Sequence, residues 1–185
     1  MIKQRQKIST KDITQIAVMI AIIVVLAQIS MPLPLGVPFT LQTLAVMLTG
    51  IIFGPIKGGI CIAVYIAMGT IGLPVFAGFS GGLSVILGPT GGFILGFLPA
   101  TIAIGLLSKP NANKTVYYVK LLIGLFIGQL IIFTIGVLWF MQILGRDLNT
   151  AIEIALIPFI IPEIIKTTLA IMFGTRISAI TKTRR

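Results

Sequence analysis

Three stretches of this chain contain no charged residue: Ile13 to Ile56, Gly58 to Ser108 and Leu121 to Gly145. A membrane-crossing helix takes about 20 apolar residues, so each run is long enough to supply one or more. Hydrophobic residues make up 57% of the chain and charged residues 10%, against roughly 25% charged in soluble domains. Mean hydropathy is +1.12. These numbers exclude a water-soluble globule and predict an all-α polytopic membrane protein. Residues 1–185 read as a single transmembrane domain.

The net charge of +10 raises nucleic-acid binding, but the placement of the charges argues against it. Lys3, Arg5, Lys7 and Lys11 precede the first apolar run, and Arg176, Lys182, Arg184 and Arg185 follow the last. Lys57 lies in one short connection, and Lys109, Lys114 and Lys120 lie in or beside another. Arg146 alone falls on the opposite side. This asymmetry is the positive-inside pattern and predicts both termini in the cytoplasm. Basic tails of this kind also meet anionic membrane lipid. The single Cys61 and the absence of histidine remove an intrachain disulfide framework and the usual zinc ligands. No metal or other cofactor is expected, and Cys61 reads as a small core residue. The first apolar run is too long for a cleavable signal peptide.

Six spans are predicted. Ser9 and Asp12 have capping-box spacing, and the first span covers about Ile13 to Ser30. The prolines at 32, 34 and 38 forbid a regular helix in the outer loop that follows. The second span covers Thr40 to Phe53, Gly54 to Gly58 turns the chain, and the third covers Gly59 to Ile71. Gly72 to Gly92 holds seven of twenty glycines and is expected to be a long outer loop folding over the bundle, since irregular backbone at membrane depth needs shielding. The remaining spans are Gly91 to Leu107, Val116 to Leu144 and Ala151 to Phe173. The small-residue pairs Ala17/Ala21, Ala63/Ala67 and Gly124/Gly128, with the series Gly88, Gly92, Gly96, permit close helix packing. Ala17 and Ala21 are the best candidates for docking a partner subunit.

Glu163 and Lys166 lie within the last apolar segment. Three residues apart, they project from one helix face. Lys166 is ~15 Å of helix from Arg176, which puts both groups near mid-span. Charges inside a membrane are costly and mark function by default. Pro158 and Pro162 precede them, each removing a helical hydrogen bond. The pair offers a donor and an acceptor. A cyclic urea matches it, its carbonyl accepting from Lys166 and its N–H groups donating to Glu163; a ligand carboxylate paired with Lys166 matches too. Thr40, Gln42, Thr43, Ser80 and Thr90 add polar groups, and Phe39, Phe76, Phe79 and Phe93 add apolar walls, as small-molecule pockets require.

Gly36-Val-Pro-Phe-Thr-Leu-Gln-Thr43, Gly72-Leu-Pro-Val-Phe-Ala-Gly78 and Gly88-Pro-Thr-Gly-Gly-Phe-Ile-Leu-Gly-Phe97 closely resemble the BioY family. That family comprises the biotin-specific substrate-binding subunits of energy-coupling-factor transporters. The resemblance runs through most of the chain. Where the family pattern reads Pro-Phe-x-x-Gly-Asp-x-x-Lys, this chain has Pro158-Phe-Ile-Ile-Pro-Glu-Ile-Ile-Lys166. Glu163 thus replaces the usual aspartate, Pro162 the usual glycine, and Phe93 a frequent tyrosine. The resemblance implies that Glu163 and Lys166 contact the ureido ring of biotin under outer loops carrying Gln42, Thr43 and Ser80. It also implies that Ala17 and Ala21 dock onto a coupling membrane subunit that works with two ATPase subunits, in a bacterial-type plasma membrane.

No phosphate-binding loop of the Gly-x-x-x-x-Gly-Lys-Ser/Thr type is present, so uphill transport needs energy from partners. Capture of biotin for an ATP-driven importer is the expected function. The alternatives are capture of another vitamin, an ion-coupled carrier in which Glu163 shuttles a proton, and an intramembrane enzyme. The last lacks a second placed acid or base.

Overall fold

The computed structural model describes residues 9–33 and 37–183, with side chains to Ala179. Lys3, Arg5, Lys7, Arg184 and Arg185, the side chain of Lys182, and Gly36 of the proline loop lie outside the described residues. Helix α1 (Thr10–Gln28) starts at the expected capping box: Asp12 N donates to Ser9 Oγ at 3.2 Å and Ser9 N to Asp12 Oδ2 at 3.1 Å. Asp12 also pairs with Lys57, which ties the start of α1 to the turn within the next helix. The proline loop carries a ladder that composition did not announce. Strand β1 (Ser30–Met31) pairs antiparallel with β2 (Phe39–Thr40), Ser30 opposite Thr40.

Helix α2 (Gln42–Thr70) is two helices in one. Gly54 breaks it with φ 73° and ψ −171°, a backbone region populated essentially by glycine alone. Pro55 follows as the first residue of the second half, where its missing N–H is no loss. The halves fold back on each other, so that Gln42 Nε2 reaches the Tyr65 hydroxyl at 2.6 Å. In a continuous helix those residues would be ~34 Å apart. The second and third expected spans are therefore a hairpin, and its turn is one residue rather than five.

The stretch from Gly72 to Gly92 is more ordered than a loop. It contains a 3-10 turn (Ala77–Phe79) closed by a bridge between Phe76 and Ser80, then α3 (Leu83–Leu87). Helix α4 (Gly91–Leu107) follows, then α5 (Lys114–Leu144), which is capped by Asn113 and ended by Gly145 in the left-handed region. Asp147 caps α6 (Leu148–Ala155). Hydrogen bonds from Thr150 hold the Asp147 carboxyl below the usual carboxylate range.

The sixth expected span is interrupted. After α6 come a 3-10 turn (Ile157–Phe159) and then α7 (Ile160–Thr183). Pro158 belongs to the turn, and Pro162 to the first turn of α7, where helix N–H groups lack intrahelical partners in any case. Neither proline breaks a helix interior. Glu163 stands in the first turn of α7 rather than mid-helix.

Helix α4 packs against both α2 and α5, α7 lies on α2, and α1 lies on α2. Glycine makes the α4–α5 contact close: a Cβ at Gly92 would meet Trp139 Cβ at 2.2 Å, and one at Gly128 would meet Ile104 Cδ1 at 2.6 Å. Ala63 and Ala67 are exposed, so among the described residues their small size serves no helix contact. Ala17 and Ala21 are exposed on the outer face of α1. Cys61 is fully buried among Ile23, Val46, Ile62 and Tyr65. The helices Thr10–Gln28, Gln42–Thr70, Lys114–Leu144 and the α6–α7 stretch Leu148–Ala179 are long and apolar enough to cross a membrane; Gly91–Leu107 is shorter.

Candidate functional site

The end of the bundle near the start of α2 and of α7 encloses a cavity of about 330 Å³, within the range of small-molecule sites. Gln42, Thr43, Ser80, Thr90, Phe93, Glu163 and Lys166 line it. Seven of the eight ligand residues expected from sequence thus meet in one place. Further aromatic walls come from Phe76, Phe97, Phe133 and Phe159.

Phe79 is the exception. Its ring is 71% exposed and its φ is 55°. The cause is the Gln28 side chain at the end of α1, which grips the turn from both sides. Gln28 Nε2 donates to Phe76 O at 3.1 Å, and Phe79 N donates to Gln28 Oε1 at 2.7 Å. With the Phe79 backbone held this way, Phe76 enters the cavity wall and Phe79 points away. Phe39 is not part of the wall either; its ring lies 4.7 Å from Lys166 Nζ as a cation–π platform.

Glu163 and Lys166 are both buried, at 7% and 3% exposure, and form an ion pair. Every ammonium proton of Lys166 has an acceptor: Glu163 Oε1, Thr43 Oγ1 at 2.7 Å and Thr40 O at 2.8 Å. The β1–β2 ladder positions that last carbonyl. Thr43 in turn donates to Glu163 Oε1 at 2.8 Å, and Gln129 of α5 donates from Nε2 to Glu163 Oε2 at 2.5 Å. A carboxylate has about four acceptor directions; three are filled and one on Oε2 is free. The N-terminus of α7 adds a partial positive charge that favours the carboxylate.

Three contributors escaped the sequence reading. Gln129 sits in an uncharged run with no local motif to mark it. Tyr65 is fully buried, accepts from Gln42 and donates to Val75 O at 3.1 Å. It therefore fixes Gln42, whose Oε1 also accepts from Thr40 Oγ1 at 3.2 Å. Gln28 is the third. All three act across helices, and periodicity within one helix carries no trace of that.

A second hollow, an apolar groove of about 800 Å³, runs between α5 and the α6–α7 stretch. Glu163 and Phe133 belong to the walls of both spaces, so they form part of the partition between them.

Residues 2–183 match the model of the BioY family. The chain is 39% identical to a protein of Pyrococcus horikoshii described as a probable biotin transporter BioY, over 90% of this chain and 96% of that one. It is 35% identical to the biotin transporter BioY of Thermotoga maritima, covering 90% and 95% of the two chains. Its fold matches the crystal structure of the S-component for biotin from an ECF-type ABC transporter, with a TM-score of 0.81, 28% identity and 94% of each chain covered. With the family model matched over residues 2–183 and the relatives similar along nearly their full length, this chain belongs to the BioY family.

Proposed function

We propose that the chain is the biotin-capturing S component of an ECF-type ATP-driven importer, a multi-pass protein of the plasma membrane. The observation that carries this reading is a buried carboxylate–ammonium pair, its ammonium fully hydrogen-bonded and its carboxylate keeping one free acceptor direction, on the wall of a mostly apolar cavity. In the free protein the Thr43 hydroxyl accepts from Lys166 and donates to Glu163. A ureido edge offers the same two functions, a carbonyl acceptor beside an N–H donor. Biotin binding is then an exchange in which the ureido carbonyl accepts the Lys166 hydrogen bond that Thr43 held and an N–H donates into the free direction on Glu163 Oε2. The phenylalanine walls hold the apolar body of the ligand, and the hydroxyls of Ser80 and Thr90 serve its carboxylate.

Six crossing segments follow if both halves of α2 and the α6–α7 stretch each span the bilayer, with both termini cytoplasmic as the basic residues indicate. The 1–185 chain acts as one substrate-binding domain. ATP hydrolysis comes from two partner ATPases through a coupling membrane subunit that docks on the Ala17/Ala21 face. The chain then turns within the membrane to release biotin inward. Equilibrium binding of biotin, thiamine and riboflavin to the purified chain in detergent, without nucleotide, tests the core of this reading. Biotin is expected to bind alone among the three; preference for either other vitamin sinks the assignment.

A further inference from the structure

Glu163 needs more than its partners on α2 and α7 to stay where it is. Thr43 and Lys166 both engage Oε1, which leaves Oε2 free to rotate about the terminal torsion of a long side chain. Helix α5 rests on α4 and helix α7 on α2, and between α5 and α7 runs the apolar groove lined by Phe126, Leu130, Ile160 and Ile164. Across that seam there is one side-chain hydrogen bond among the described residues, from Gln129 Nε2 to Glu163 Oε2 at 2.5 Å. The same amide nitrogen reaches Met47 Sδ at 3.5 Å, while Gln129 Oε1 is buried without a partner. The amide is thus turned so that its donors serve the carboxylate and its acceptor is left unmatched. That orientation is understandable only if the bond to Glu163 dominates, as charge-assisted bonds do.

We propose that Gln129 is a positioning residue for biotin: by holding Glu163 Oε2 across the α5–α7 seam, it fixes the one free acceptor direction of the carboxylate toward the ligand N–H. It acts through Glu163 and touches no ligand atom itself. Without it, Oε2 has no partner on the groove side and the carboxylate samples orientations in which its free direction points away from the cavity. This inference rests on the biotin-capture reading above.

The test is a double-mutant cycle on the full chain in detergent, read by equilibrium biotin binding, with the thermal midpoint as a check on folding. Gln129→Met keeps the shape and removes both hydrogen-bonding groups. It is expected to lower biotin affinity about tenfold, or ~1.4 kcal/mol. Glu163→Asp shortens the acid by one methylene and takes it out of reach of Gln129. In that background Gln129→Met is expected to change affinity less than twofold. Gln129→Asn retains a shortened amide and gives an intermediate loss, a second reading should Met prove poorly tolerated. Wild-type affinity in Gln129→Met, or the same tenfold loss in both backgrounds, overturns the proposal while leaving biotin capture intact. A wild-type chain that does not bind biotin removes both.

Discussion

Lys166 and Glu163 illustrate how little room a buried charge has for choice. A lysine ammonium has three protons, and here all three meet acceptors on two helices and a strand. Removing one member of a buried pair typically costs about 3–5 kcal/mol, because the other is left uncompensated. Lys166→Ala is therefore expected to abolish biotin binding and to lower the thermal midpoint in detergent. Thr43→Val provides the informative contrast. It keeps the charges and the volume but deletes the hydroxyl that links them, at a cost of about 1–3 kcal/mol in stability. Since the ureido carbonyl takes over the Lys166 hydrogen bond that Thr43 accepts in the free protein, Thr43→Val should recover part of that loss when biotin is added. If the ligand-induced rise in thermal midpoint is no larger in Thr43→Val than in wild type, the hydroxyl does not occupy the place of the ureido edge.

At the level of elements, the loop wall of the cavity is shaped from a distance. Gln28 closes α1 by gripping the Phe76–Ser80 turn, so the end of one helix decides which of two phenylalanines enters the pocket. A left-handed phenylalanine is strained by about 1–2 kcal/mol. Phe79→Gly relieves that strain and loses a largely exposed ring, so stability should change by under ~1 kcal/mol once the greater chain entropy of glycine is included. Biotin affinity should stay within twofold of wild type. A tenfold loss would return Phe79 to the binding site. The hairpin within α2 shows the same economy, as one glycine with positive φ reverses a 29-residue apolar helix.

For the whole molecule, α2 is the hub: α1, α4 and α7 all pack on it, and both ends of the functional network start there. The outer face of α1 is left open, with Ala17, Val18 and Ala21 exposed. If this is the surface that meets the coupling subunit, Ala17→Trp with Ala21→Trp should preserve biotin binding by the isolated chain and stop uptake by the assembled transporter. Normal uptake by that double variant in vesicles holding the coupling subunit and both ATPases would place the docking surface elsewhere.

What could be read from the chain alone was whatever is local. Uncharged runs mark apolar helices because the cost of leaving a charge in hydrocarbon is felt residue by residue. Gly54 and Pro55 mark the reversal in α2 because φ preferences belong to single residues. The i, i+3 spacing put Glu163 and Lys166 on one face because helix geometry is the same everywhere. Only the tertiary structure could choose the rest. It set α7 to begin at Ile160, sent Phe79 outward, and brought Gln129 against a carboxylate 34 residues away. Each of those outcomes depends on how helices distant in sequence are laid side by side, and in a chain this apolar almost every face looks alike until another helix is packed on it.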